Sequence, residues 1–330
     1  MMTNKKSHIP VLLKEVIEAL APKDGEIYVD GTFGGGGYSV AILNAADCKV
    51  YAIDRDPDAI ERGRALEKEF SGRLKLLHGK FSNMDDLLKA EGEEAVDGIT
   101  LDIGVSSYQL DQAERGFSFM KEGPLDMRMD RKGETAADVV NTYAEEDLAN
   151  IFYNFGEERA SRRIARFIVK ARAEAPVKTT TELAKIVINA LGAKKSMAAR
   201  RTHPATKVFQ ALRIYINREL DELLQGLNVS LKLLREGGRL AVVSFHSLED
   251  RIVKNFYFEN SGNIPQGSRH SPPDATPGKW RGPTLILAQK KRIKASEEEI
   301  AANPRARSAS LRVATRSGFA QEKKFSQEGA

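Results

Sequence analysis

The chain has 330 residues, 41% hydrophobic and 29% charged, with a net charge of +5 and a mean hydropathy of −0.40. That length allows two ordinary domains, or one large domain carrying an insertion. No apolar run approaches the roughly 20 residues a bilayer-spanning helix needs. The one cysteine, Cys48, excludes an internal disulfide and a thiolate metal cluster and suits a reducing, cytoplasmic setting. The basic N-terminus leads into an amphipathic stretch broken by Lys14, Glu15 and Glu18, so no secretory signal is expected.

In chain order, residues 26–110 alternate short apolar runs with helix-like stretches, the pattern of parallel βαβ units. Strands are expected at 27–30, 50–54, 74–78 and 98–102, and three of them end in a carboxylate: Asp30, Asp54 and Asp102. Ligands of open parallel sheets bind at that edge. From 110 on, about a hundred residues carry helical periodicity, including 160–173 and 181–191, and no convincing strand. A helix at 220–234 and the turn Glu236-Gly237-Gly238 precede a fifth strand at 238–245. A loop rich in Pro, Gly and Ser then leads to runs at 284–288 and 310–315 that suit an antiparallel pair, and the residues from 318 on read as a tail. The reading is an α/β fold: a mostly parallel sheet with a C-terminal antiparallel strand pair and an inserted all-helical domain. The sheet domain takes 1–109 and 204–330, and the insertion takes 110–203.

Charge is unevenly distributed along the chain. Residues 155–215 hold 14 Lys and Arg against four Glu, a local +10 that leaves −5 for the rest. A basic segment on an acidic body is the footprint of a polyanion-binding surface, although a solvated helical face looks the same. Arg159, Arg162, Arg163 and Arg166 share one flank at helical spacing, and Lys194, Lys195, Arg200, Arg201, Arg305 and Arg307 add to the basic character. Together they point to RNA, with DNA not separable on charge alone.

The turn Asp30-Gly31-Thr32-Phe33-Gly34-Gly35-Gly36-Gly37 follows a strand and precedes a helix, so its glycines fall where backbone passes close to a ligand. Asp54 stands 20 residues after Gly34, the spacing at which a carboxylate meets an adenosine ribose. No lysine closes the turn, which excludes a P-loop, and Ser39 stands where the dinucleotide fingerprint wants a third glycine. Carboxylates on both sides of the turn, Asp30 and Asp54, suit a cationic sulfonium better than a pyrophosphate, so the expected cofactor is S-adenosylmethionine. Asp102-Ile103-Gly104-Val105-Ser106-Ser107 would then lie beside the methyl donor, with Ser106 and Ser107 read either as substrate contacts or as a helix cap. Pyrimidine C5 methylation uses a cysteine nucleophile, and Cys48 lies at the start of strand two, so an amine or hydroxyl acceptor fits better. Residues 115–120 and 125–130 mix Phe, Met and Arg and suit core packing or base stacking equally. His246, just past strand five, reads as structural or as a pocket residue; the five histidines do not cluster, and no metal is expected.

The 30–39 turn, the run 102–109, and the segments 114–120, 123–130, 245–254 and 303–308 together resemble the bacterial RsmH (MraW) family, almost end to end. That resemblance implies a class I, Rossmann-like methyltransferase domain with a helical insertion that recognises substrate. It also implies S-adenosylmethionine as cofactor and the N4 amine of a decoding-centre cytidine in 16S rRNA as acceptor, in naked rRNA or in the small subunit. It implies cofactor contacts from Gly36, Gly37, Tyr38, Asp54, Phe81, Asp102 and Gln109, and Asp102 is the best-placed catalytic candidate. The family usually has histidine where Tyr38 stands, which leaves a backbone contact at that position. Two other functions compete: a non-enzymatic RNA-binding factor with a vestigial cofactor site, and a nicotinamide-dependent oxidoreductase with a helical substrate domain.

Overall fold

A computed structural model describes residues 10–192, 203–262 and 283–318. Lys194, Lys195, Arg200 and Arg201, most of the Pro/Gly/Ser loop and the C-terminal tail lie outside the described residues. Contacts divide the chain into two compact units, one of Met1–Asp54, Ile60–Ile103 and Leu223–Ala330, the other of Arg55–Ala59 and Gly104–Glu222. Among the described residues, no helix is long and apolar enough to cross a membrane.

The first unit is built on seven strands: β1 (Ile27–Asp30), β2 (Lys49–Asp54), β3 (Leu74–His78), β4 (Val96–Asp102), β5 (Leu234–Ser244), β6 (Leu285–Leu287) and β7 (Ser310–Arg316). Their order is β3-β2-β1-β4-β5-β7-β6. β1 to β5 run parallel, and β7 is antiparallel to both β5 and β6. That is the class I methyltransferase arrangement, and its strand order reverses at β1, beside β4. Burial explains the patterns in the sequence. Central β4 hides Val96, Ile99, Thr100 and Leu101 between two helical layers, whereas β3, at the sheet edge, exposes Lys75 and His78. One face packs Val29, Ile53, Ile99, Leu101 and Val242 against Met84, Leu88, Leu227 and Phe256.

The β5 region departs from expectation. Leu234 was expected to close a helix, but the helix stops at Leu233, and Leu234 pairs with Val96 before the strand bulges and resumes with Arg239 opposite Gly98. The turn at 236–238 is therefore an irregularity inside β5, with Gly237 in the left-handed region.

The second unit is helical. Its core collects Val139, Val140, Leu148, Phe152, Ile164, Ile168, Leu183, Val187, Val208 and Leu212, and buries Phe117, Leu125, Met127 and Met129 among them. Those four residues of the mixed aromatic and methionine segments are thus packing residues, while Met120 is 79% exposed. The unit extends past the expected 110–203 on both sides because the helix Thr206–Asn217 packs on Glu145–Gly156, and because Arg55–Ala59 joins it through ion pairs. Asp56, nearly fully buried, accepts from the Arg115 guanidinium at 2.8 Å and the Gln109 amide at 2.8 Å. Arg115 also donates to the carbonyls of Arg128 and Met129, both at 3.0 Å, and Arg55 joins Asp130 and Glu222. Removing one member of such a pair strands a buried charge. Arg115→Ala should therefore cost about 3–5 kcal/mol, read as a lowered urea midpoint in the helical circular dichroism signal.

Candidate functional site

The glycine turn lies between the end of β1 and the helix Gly37–Ala45. The turn is closed by the Gly36 N–H donating to the Phe33 carbonyl at 2.7 Å, with Gly36 at φ +79°. A side chain there would be strained by that backbone and would also meet the Phe33 ring and Leu66 at 2.8 Å. Two bonds lash the turn to neighbouring strands: Phe33 N–H donates to the Ile53 carbonyl at 2.9 Å, and Gly31 N–H donates to the Thr100 carbonyl at 3.0 Å.

Asp30 is wholly buried beneath this turn. Its carboxylate accepts the Thr32 N–H at 3.2 Å, the Ser39 hydroxyl at 2.7 Å and the Ser39 N–H. The last is one of the helix's otherwise unpaired N-terminal donors, so Asp30 caps the helix from below. Burial still outweighs those bonds and pushes its pKa from 3.8 up to about 6. The charge argument made from sequence is modified accordingly: Asp30 holds the turn in place, and the carboxylates less enclosed at the sheet edge are Asp54 and Asp102.

Asp54 accepts the Gly34 N–H at 2.7 Å, so the spacing of 20 residues is a direct contact between turn and strand end. Phe81, opening the short turn after β3, lies against Gly226, so closely that a Cβ at 226 would overlap the ring. Asp102 ends β4, and its N–H donates to the Thr32 hydroxyl oxygen at 2.6 Å. Its Oδ1 is buried with no hydrogen-bond partner among the described residues. Burial first, then the carboxylates of Asp30 and Glu249, raise the Asp102 pKa well above the usual range. The charge of Asp30 thus opposes ionisation of Asp102.

Tyr38 is buried and its hydroxyl donates to the Val11 carbonyl, so its side chain is spent on fastening the N-terminal segment. That leaves its backbone for any ligand, as the departure from histidine implied. His246 is the N-cap of the helix Ser247–Asn260: its Nδ1 accepts the Glu249 N–H at 3.4 Å and its Nε2 lies 2.9 Å from Glu249 Oε1. Its Nδ1 is thus used within a capping box, which favours the structural reading. The turn, Asp54, Phe81 and Asp102 belong to the sheet unit. Gln109 belongs to the helical unit, where it completes a capping box with Ser106 and donates to Asp56, so Ser106 is the cap that sequence allowed. His203 stacks on Phe119 with ring centroids 4.4 Å apart.

Sequence reading passed over Thr32 and Glu249, and saw Ser39 only as a break in a dinucleotide fingerprint. The available signal was a Ser at the third position of a helix whose preceding strand ends in Asp. Asp30→Asn tests the electrostatics. A raised carboxyl pKa contributes stability that is present below about pH 4 and lost as pH rises through about 6. Relative to the wild type, Asp30→Asn should gain about 3 kcal/mol of unfolding free energy between pH 4 and 7. Urea unfolding at the two pH values measures this, and parallel profiles would refute it.

The chain matches the model of the MraW methylase family over residues 5–317. It is 53% identical to the ribosomal RNA small subunit methyltransferase H of Hyphomonas neptunium, across 94% of this chain and 88% of that protein. The protein of the same name from Rhizorhabdus wittichii is 54% identical, across 97% and 96%. That from Rhodopseudomonas palustris strain CGA009 is 56% identical, across 94% and 90%. The chain belongs to the MraW methylase family and is an S-adenosylmethionine-dependent methyltransferase.

Proposed function

We propose that the chain methylates the exocyclic N4 amine of a decoding-centre cytidine in 16S rRNA, in the bacterial cytoplasm. Identity of 53–56% across at least 94% of the chain with proteins named for small-subunit rRNA methylation carries the substrate assignment. The local +10 of residues 155–215 supports it, because phosphate neutralisation supplies most sequence-independent nucleic-acid affinity. The helical unit is the substrate-recognition domain in this reading.

The residues at the strand ends fit the cofactor on two observations. The turn is confined to glycine at position 36, and Asp102 Oδ1 is a buried acceptor with no donor among the described residues. The proposed contacts are the backbone of Gly36, Gly37 and Tyr38, the carboxylates of Asp54 and Asp102, the Phe81 ring, and Gln109. When bound, S-adenosylmethionine supplies an electrophilic methyl group. Methyl transfer to an amine would need the acceptor nitrogen held in line with that group and a route for its proton, so the protein's work is positioning. Asp102, held by Thr32 and biased toward its protonated form, is the candidate for accepting a hydrogen bond from the amine or taking that proton.

Two measurements test the reading. Nucleosides of small-subunit rRNA from cells lacking the gene should lose N4-methylcytidine by mass spectrometry, and persistence of that nucleoside would refute the acceptor. Calorimetry should show S-adenosylmethionine affinity rising with pH, with Asp102→Asn binding more weakly and keeping only the slope that Asp30 contributes near pH 6. A profile in that variant as steep as that of the wild type would sink the role given to Asp102. Absence of any binding would revive the non-enzymatic RNA-binding factor.

A further inference from the structure

The helix Ser161–Glu174 turns Ser161, Ile164, Ala165 and Ile168 into the helical core. Its opposite face carries Arg162, Arg163, Arg166, Phe167 and Lys170, all exposed, with Arg159 exposed just before its N-terminus. The structure corrects the sequence reading here, since Arg159 precedes the cap residue Ala160 and is not on the helix. Phe167 is 37% exposed on this outer face, and the Arg163 guanidinium carbon stands 5.9 Å from its ring centroid. Among the described residues, the carboxylate paired with these cations is Glu145, 3.7 Å from Arg166, and both partners of that pair are exposed. Exposed pairs of that kind are worth under about 1 kcal/mol and are easily exchanged.

On this face an exposed phenyl ring stands among cations, with a guanidinium over it. Unpaired bases stack on aromatic rings and guanidinium planes, while the flanking cations follow the phosphates. We propose that this face docks a single-stranded segment of the rRNA substrate, with a base stacked on the Phe167–Arg163 pair and phosphates held by Arg162, Arg166 and Lys170. The proposal rests on the rRNA reading above and adds the surface and the form of RNA it takes. Charge complementarity commits it to RNA: the face is cationic and has one aromatic, with no apolar row to seat a protein helix.

The test uses the full chain and two RNAs of one small-subunit rRNA sequence, single-stranded and duplex, with binding followed by fluorescence anisotropy across a salt series. Phe167→Ala and Phe167→Leu should each weaken single-strand binding by roughly tenfold and leave duplex binding unchanged, whereas Phe167→Trp should restore it. Replacing Arg162, Arg166 and Lys170 together by Gln should reduce the slope of log affinity against log salt by about 2, at ~0.7 per lost phosphate contact. Unchanged S-adenosylmethionine binding and circular dichroism would show that these variants are folded. If wild type binds RNA and the folded variants bind equally well with the same slope, the proposal falls and the rRNA reading stands. If wild type binds neither RNA, both fall. If the variants lose affinity only for the assembled subunit and not for naked RNA, the occupant is a ribosomal protein and the proposal is overturned.

Discussion

The sheet unit depends on one buried carboxylate. β1 delivers Asp30 into the interior, where it is fully enclosed and is held by Thr32 and Ser39. Through Ser39 it anchors the first turn of the following helix, and through Thr32 it fixes the start of the glycine turn. Thr32 in turn receives the Asp102 N–H, so the ends of β1 and β4 are coupled through a single hydroxyl. Without those acceptors the helix would leave N–H groups unpaired in the protein interior, at a cost comparable to the hydrogen bonds lost. The glycines are tolerated because the turn is tied at both ends, to Ile53 and to Thr100, and not because it is loose.

Most of this architecture was legible in the sequence. The period of apolar runs gave all seven strands, because a parallel sheet covered on both faces needs continuous hydrophobic segments and an edge strand does not. Asp54 was singled out by its spacing from Gly34 as a carboxylate for a ribose; what the structure adds is that it accepts the Gly34 N–H, a contact the sequence reading did not name. The β5 bulge was not legible. Glu236-Gly237-Gly238 has turn chemistry, and only the pairing of Leu234 with Val96 shows that the strand begins before it.

The helical unit was legible as helical but not in its borders or its interior. Its organising contacts join residues far apart in sequence: Asp56 with Arg115 and Gln109, Arg55 with Glu222, and Asn217 with the backbone of Met127 and Met129. No local spacing announces such pairs. Arg115 and Gln109 look from sequence like surface or ligand residues, and burial makes the difference. Gln109 illustrates the limit of transferring roles by resemblance. Its amide already donates to Asp56 and accepts from Ser106 N–H, so any further contact draws on the capacity those two bonds leave.

The carboxylates of the sheet unit are graded, and the grading has a chemical meaning. Asp30 is buried but hydrogen-bonded, Glu249 accepts the N–H groups of Phe245 and His246, and Asp102 Oδ1 is buried with no partner among the described residues. Native proteins satisfy buried acceptors almost everywhere, because an orphaned one costs on the order of 1–3 kcal/mol. A fold that meets the needs of Asp30 and leaves Asp102 Oδ1 unmet keeps an acceptor in reserve at the end of β4. Neighbouring negative charge makes that acceptor costly to ionise when the protein is alone and cheap to ionise beside a cation. In the role proposed for Asp102, a sulfonium cofactor, or an amine gaining positive charge as it is methylated, would be the partner that lowers the cost of its ionisation, as preorganisation of a methyl-transfer site requires.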